Sequence, residues 1–237
     1  MQFDSKEVRV LHLPSLEIWL NTKHVGKETE SMVRNIGINA DYYFTEKIIK
    51  NDVSTTIAEA SIDEKNIIIK RINARSILTA IRRIFGSTRV VRNWQNAAVL
   101  SQHSIDTFMP IALVKKKWWG FCYLSYLYMS KIEGVDAIAY LATCENKSQW
   151  KVVADKIISL IKKLDQLGIR HRDLNLSNII IYEEKPYLID LDAMKIDKKP
   201  RKKMSIKETE RFIKNIEYLK EKNNELYVYF NQALVQE

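Results

Sequence analysis

The stretch that most constrains this chain runs from Ile169 to Met194, IRHRDLNLSNIIIYEEKPYLIDLDAM. Two apolar runs, IIIY (179–182) and YLID (187–190), flank a polar turn at Glu183-Glu184-Lys185-Pro186, so the segment reads as a β-hairpin. A hairpin returns the chain to the end from which it started. Asn178, just before the first strand, and Asp190, at the close of the second, therefore converge, with Asp173 one loop away. Two converging oxygen ligands suit Mg²⁺, which takes one or two protein oxygens and completes its shell with water and phosphate. A third carboxylate nearby can orient a hydroxyl and take its proton. An ordinary hairpin with a solvated loop has no need of Asp and Asn at those matched ends.

This is the layout of phosphoryl transfer. HRDLNLSN (171–178) resembles the protein-kinase catalytic loop H-R-D-x-x-x-x-N, which makes Asp173 the base and Asn178 a metal ligand. IDLD (189–192) resembles the D-F-G site, with Asp190 the second ligand and Asp192 at the glycine position as a further contributor. In that loop His171 is a structural residue that pins backbone beneath the metal site, and Arg172 is an auxiliary group. The strand lysine in IIIKRI is Lys70, expected to neutralise nucleotide phosphates.

Upstream, YYFTEKIIK (42–50), TTIAEASI (55–62) and NIIIKRI (66–72) read as three strands of an antiparallel meander, linked by NDVS and DEK. RSILTAIRRIF (75–85) and TRVVRNWQNAAVLSQH (88–103) read as helices, the second with Val91, Trp94, Ala98 and Val99 on one face. MPIALVKKK (109–117) and GFCYLSYLYM (120–129) are two more strands. From 136 onward the pattern is helical. Val153, Ile157, Leu160, Ile161, Leu164 and Leu167 form one stripe, and Gly168 suits the left-handed position past a helix end. A last helical region starts at Ile206, with a break near Asn223-Asn224. The expectation is an α+β, bilobal, kinase-like fold. Residues 1–40 form an N-terminal extension, 41–129 an antiparallel sheet plus helix that binds nucleotide, and 130–237 a short, mainly helical lobe with the catalytic loop and metal site.

The resemblance narrows further. KRINARSILTAIRRIFGSTRVVRNWQNAAVL, PIALV, KIEGVDAIAYL, HRDLNLSNIII and YLIDLD together resemble the bacterial lipopolysaccharide core kinases, the Kdo and heptose kinases, over roughly residues 42–220. The resemblance implies ATP and Mg²⁺ as cofactors and a lipid-linked core oligosaccharide as acceptor. It implies a peripheral position on the cytoplasmic face of the bacterial inner membrane. By analogy the adenine meets backbone in the stretch 129–133, at Met129, Ser130 and Lys131. The missing Ala-Pro-Glu motif, and Asn175 where serine/threonine kinases usually carry Lys, disfavour a peptide acceptor. Two departures stand out. The turn KNDVS has no glycine to wrap phosphates. Asn93 precedes Trp94 where the family has Glu, the partner that holds the strand lysine. Asn93 keeps a second class of reading open: a pseudokinase or nucleotide-binding scaffold at the membrane surface. Another small-molecule or protein kinase of the superfamily is the third.

Composition sets outer bounds. A formal net charge of +9 favours an anionic partner, an acidic membrane surface among them. Nucleic acid has charge alone in its favour and is not expected. Cys122 and Cys144 have neither CxxC nor metal-ligand spacing, as expected of a cytoplasmic protein. The N-terminus lacks the apolar run of a signal peptide, and 121–129 is too short to span a bilayer as a helix. Lys115-Lys116-Lys117 before Trp118-Trp119 reads either as an interfacial patch or, preferably, as a hairpin turn with one Trp packed inward. Lys198, Lys199, Arg201, Lys202 and Lys203 read equally as a lipid contact or a solvated linker. Arg82, Arg83, Arg89 and Arg92 read mainly as exposed helix charge.

Overall fold

The computed structural model describes residues 7–35, 47–73, 88–119, 121–197 and 206–235. It is a mixed α+β chain of two compact units: residues 1–104 with 108–131, and residues 105–107 with 132–237.

The first unit is built on a seven-stranded sheet. Its strands are β1 (Val8–Leu13), β2 (Leu16–Asn21), β3 (Lys47–Asp52), β4 (Thr55–Ile62), β5 (Lys65–Asn73), β6 (Pro110–Trp118) and β7 (Phe121–Ser130), in the order β1-β2-β6-β7-β5-β4-β3. Every neighbouring pair is antiparallel. The five strands expected from the sequence correspond to β3 to β7, although β3 runs from Lys47 to Asp52 and residues 42–46 of the expected 42–50 lie outside the described residues. The stretch left as an extension is the correction: β1 and β2 add an outer hairpin through the register Leu16↔Lys116 to Leu20↔Ala112. Helix α1 (Lys27–Asn35) follows them.

Alternation sorts the sheet into two faces. Leu16, Ile18, Leu20, Ile67, Ile69, Val114, Tyr126 and Tyr128 are buried with Met32 and Val33 of α1. The opposite face carries the row Trp19, Leu113, Leu127, Lys70 and Ile57, read across paired registers. Helix α2 (Arg89–Gln102) packs on β6 and β7, and Trp94 meets Trp19 edge-on at 6.1 Å. Thr88 caps α2, its hydroxyl accepting from the Val91 N–H at 3.4 Å. The buried stripe of α2 is Val90, Val91, Asn93, Trp94, Ala97 and Leu100. Ala98 and Val99, expected on that face, are only half-buried, because two sheet strands cover a stripe turned toward Ala97. The expected helix 75–85, with Arg82 and Arg83, lies outside the described residues, as does the Lys198–Lys203 cluster.

Helix α1 is capped from a distance. The Asp63 carboxylate accepts from the Glu28 and Thr29 N–H groups at 3.0 Å each and from the Thr29 hydroxyl at 2.7 Å. Glu28 in turn accepts from the Asp63 N–H at 3.0 Å. The reciprocal pair satisfies orphan donors as a local capping box does, across 35 residues of chain. A Cβ on Gly26 would sit 2.0 Å from that carboxylate carbon, so a side chain there would displace the Asp63 cap.

The second unit has β8 (Val135–Asp136), α3 (Ala137–Thr143), α4 (Lys147–Gln166), β9 (Ile169–Arg170), β10 (Ile179–Tyr182), β11 (Lys185–Leu188) and β12 (Lys195–Ile196). Helices α5 (Ile206–Asn215), α6 (Leu219–Lys222) and α7 (Asn224–Val235) follow, with the expected break at Asn223. Helix α4 buries Trp150, Val153, Ile157, Leu160, Ile161 and Leu164. Helix α7 packs on α4 with Tyr229 edge-on to Trp150, and on α5 with Phe230 against Phe212. Gly168 adopts φ 68, ending α4 as expected. Strands β11, β10 and β8 make a small antiparallel sheet, and β12 pairs with β9. No helix among the described residues is long and apolar enough to cross a membrane.

Candidate functional site

Asp173, Asn175 and Asn178 assemble by short-range bonds in the second unit. β10 and β11 pair in register from Ile179↔Leu188 to Tyr182↔Lys185. The turn holds Glu183 at φ 47 and Glu184 at φ 56, the two consecutive left-handed residues of a tight hairpin. Strand β11 stops at Leu188, two residues before the expected end. The ladder nevertheless continues one step, since the Ile189 N–H donates to the Asn178 carbonyl at 2.9 Å. That bond sets Asn178 beside the residue preceding Asp190. The Leu188 N–H donates to Asp106 O at 2.9 Å and Leu188 O accepts from the Thr107 hydroxyl at 2.5 Å, so residues 105–107 brace β11.

Asn178 also ties back to Asp173. Its side-chain amide nitrogen donates to the Asp173 carbonyl at 2.8 Å. This fixes the amide and leaves Oδ1 turned away from that carbonyl. Asn175 supports both ends of the loop: its Oδ1 accepts from the Asn178 N–H at 3.1 Å and its amide donates to Asp173 O at 3.2 Å. Such a side chain mimics a backbone turn, and it caps the 3₁₀ turn at Leu176–Asn178. Asp173 is exposed, whereas Asn178 and Asp190 are half-buried. Asp190 has φ 55 and ψ 54, in the left-handed region that an L-residue enters at a cost of about 1 kcal/mol or more. The turn Leu191–Ala193 follows, with Asp192 buried.

His171 lies beneath this loop and is buried. Its Nε2–H donates to the Ile189 carbonyl at 2.9 Å, next to Asp190. Burial pushes its pKa down, against the bond to Ile189 and the charges of Asp190 and Asp173, so the ring is held neutral. Arg172 adopts φ 54, and its carbonyl accepts from Arg211 Nη1 at 2.7 Å. Arg170 donates to Glu208 at 2.9 Å. Glu208 and Arg211, one turn apart on α5, thus hold the strand and loop that lead into Asp173. Sequence reasoning noted Asn175 only for the Lys it replaces, not for this capping role, and missed Arg211. The Asn-x-x-Asn spacing of the first is legible as a cap; nothing in the sequence points to the second.

In the first unit Lys70 is 5% exposed at the centre of β5, on the sheet face that α2 covers. Asn93 is buried on α2, and its amide donates to the Arg89 carbonyl of its own helix at 3.0 Å. Met129 and Ser130 end β7, with Lys131 directly after. The Ser130 N–H donates to Met109 O at 2.9 Å and the Lys131 N–H to Asn66 O at 3.1 Å. The Ser130 hydroxyl accepts from the Met109 N–H, and Lys131 pairs with Glu59 at 2.7 Å. Those two amides are therefore engaged by backbone carbonyls of the first unit.

Asn178 and Asp190 thus flank one hydrogen-bonded end of the hairpin, and both carry side-chain oxygens, the donor type that a hard divalent cation takes.

Residues 46–229 match the model of the lipopolysaccharide kinase (Kdo/WaaP) family. Among solved structures, one described as WaaP in complex with acyl carrier protein is similar to this chain, with a TM-score of 0.55 and 10% identity. The match covers 88% of this chain and 95% of that one. At that identity the likeness speaks for the fold. Comparison with curated protein sequences gives no match.

Proposed function

Because the chain belongs to the lipopolysaccharide kinase (Kdo/WaaP) family, we propose that it transfers a phosphoryl group from ATP to a sugar hydroxyl of the lipopolysaccharide inner core, on Kdo or heptose. The observation that carries this reading is the bond set joining Asp173 O, Asn178 and Ile189 N, which gathers Asp173, Asn178 and Asp190 at one end of β10–β11. Asp173 orients the acceptor hydroxyl and takes its proton. Asn178 and Asp190 hold Mg²⁺, whose charge offsets that of the nucleotide phosphates. Lys70 neutralises the α and β phosphates, and Met129 to Lys131 border the adenine. Arg172 and Asp192 contribute by shaping the backbone on either side of these groups. The transition state is loose, so positioning and charge neutralisation supply most of the acceleration. Attachment to the cytoplasmic face of the inner membrane and a lipid-linked acceptor complete the reading.

Transfer from ATP to purified core lipopolysaccharide tests it. Asp173→Asn should reduce turnover at least about a hundredfold and leave nucleotide binding nearly intact, the scale of a lost general base. Asp190→Ala should abolish Mg²⁺-dependent nucleotide binding. Near-normal transfer by Asp173→Asn would remove the assignment. Asn93 favours a second reading, a nucleotide-binding scaffold, since it is buried where a carboxylate is expected and bonds to its own helix. ATP binding without transfer to any core acceptor would favour the scaffold.

A further inference from the structure

The β6–β7 hairpin ends in two tryptophans that the site does not use. Trp118 is 70% exposed and Trp119 is 84% exposed, against the expectation that one of them packs inward. Their rings touch edge-on at 6.3 Å, so neither seeks the core. Trp119 is held at φ 49, a backbone position that disfavours a bulky side chain. The hairpin tip therefore presents two large aromatics to solvent at a conformational cost, where a polar turn would serve the fold as well.

The tip is not isolated. Leu16 pairs with Lys116 and the Lys117 N–H donates to Ser15 O at 2.8 Å, which brings the β1–β2 turn alongside it. Leu13, 43% exposed, and exposed Pro14 lie in that turn. The registers Asn73↔Leu124 and Thr55↔Ile72 bring the β3–β4 turn, with Val53 87% exposed, to the same end of the sheet. Three hairpin turns thus share one edge, and each offers apolar side chains to water. Behind the tip, Lys115 and Lys117 share the one carboxylate of Glu17, a trio that is net positive, and Lys116 lies between them in sequence.

We propose that this edge, led by Trp118 and Trp119 with Leu13 and Val53, docks the protein on an anionic bilayer surface. Amphipathic tryptophan rings favour the headgroup boundary, and lysines just behind them face anionic lipid. A protein interface would ask for a packed apolar centre with charge excluded from it, whereas here single aromatics project from separate turns with lysines at their base. The purpose of docking, reaching a membrane-held acceptor, rests on the function proposed above; the docking itself does not.

Trp94 and Trp150 are buried and Trp19 is half-buried, so of the five tryptophans Trp118 and Trp119 are the two that lipid can reach directly. The full chain is mixed with vesicles of phosphatidylglycerol and phosphatidylcholine, and with phosphatidylcholine vesicles alone. We expect co-sedimentation with the first, and quenching of tryptophan emission by lipids brominated near the glycerol backbone. Trp118→Ser/Trp119→Ser should bind about tenfold or more weakly, as loss of apolar contact from two rings requires. Lys116→Glu should weaken binding to the anionic vesicles only. Equal binding by wild type and the double variant, or no quenching in wild type, would overturn the proposal. Transfer to a delipidated core oligosaccharide separates the two ideas. Intact transfer with no bilayer binding removes the docking edge alone; bilayer binding with no transfer removes the kinase reading alone.

Discussion

Glu17 offers a worked test of how the first unit is held. Its carboxylate lies between the ammonium groups of Lys115 and Lys117 and accepts from the Trp19 ring N–H at 2.9 Å. Burial alone would raise its pKa, but the two lysines and Trp19 overcome this and hold it at about 2, against an ordinary 4.5. Each tenfold change in proton affinity is worth about 1.4 kcal/mol, so the undiscounted contribution is about 3 kcal/mol. Solvent and salt screening at a part-exposed site reduce this to about 1–2 kcal/mol. The folded state prefers the ionised form. The stabilisation is therefore complete above about pH 4.5 and is lost as the pH falls toward 2. Glu17→Gln removes the charge without removing the shape. Urea unfolding followed by tryptophan fluorescence should find the variant about 1–2 kcal/mol less stable at pH 7. The gap should narrow as the pH falls below 4.5, because only the wild type is then losing a charge. A gap that stays constant from pH 7 to pH 3, or no gap at pH 7, would refute the bridge as a source of stability.

Two further outcomes follow from the second unit. Arg211→Ala removes the bond to the Arg172 carbonyl, so the loop before Asp173 loses its tie to α5; turnover should fall roughly tenfold with little change in nucleotide affinity, by steady-state kinetics, and Arg211→Lys should restore part of it. Gly134→Ala would bring a Cβ within 2.3 Å of the Ile181 carbonyl oxygen, so thermal unfolding should show a loss of about 1–3 kcal/mol, the usual cost of overpacking.

The 169–194 segment was legible because its geometry is local. The bond from Asn178 to Asp173, the Asn175 cap and the pairing of β10 with β11 all join residues close in sequence. A motif with fixed offsets carries its own structure when its bonds span so little chain. The β10–β11 turn was legible as a turn, but two glutamates at positive φ gave no hint of its type. Asn93 was recognised as a departure from the family, and the structure adds that it sits on the buried stripe of α2. The stripe itself was misjudged at Ala98 and Val99, since which side of a helix is covered depends on where the sheet lies.

Sequence alone therefore determined the hairpin of the 169–194 segment, the five strands β3 to β7, the end of α4 at Gly168 and the family. Tertiary structure decided that β1 and β2 complete the sheet, that Asp63 caps α1 from across the unit, that Arg211 holds Arg172, and that both hairpin tryptophans face outward. The physical reason is range. Turns, caps and helix periods are written into neighbouring residues, whereas an edge strand, a cap in trans or an exposed ring exists only once distant segments have met.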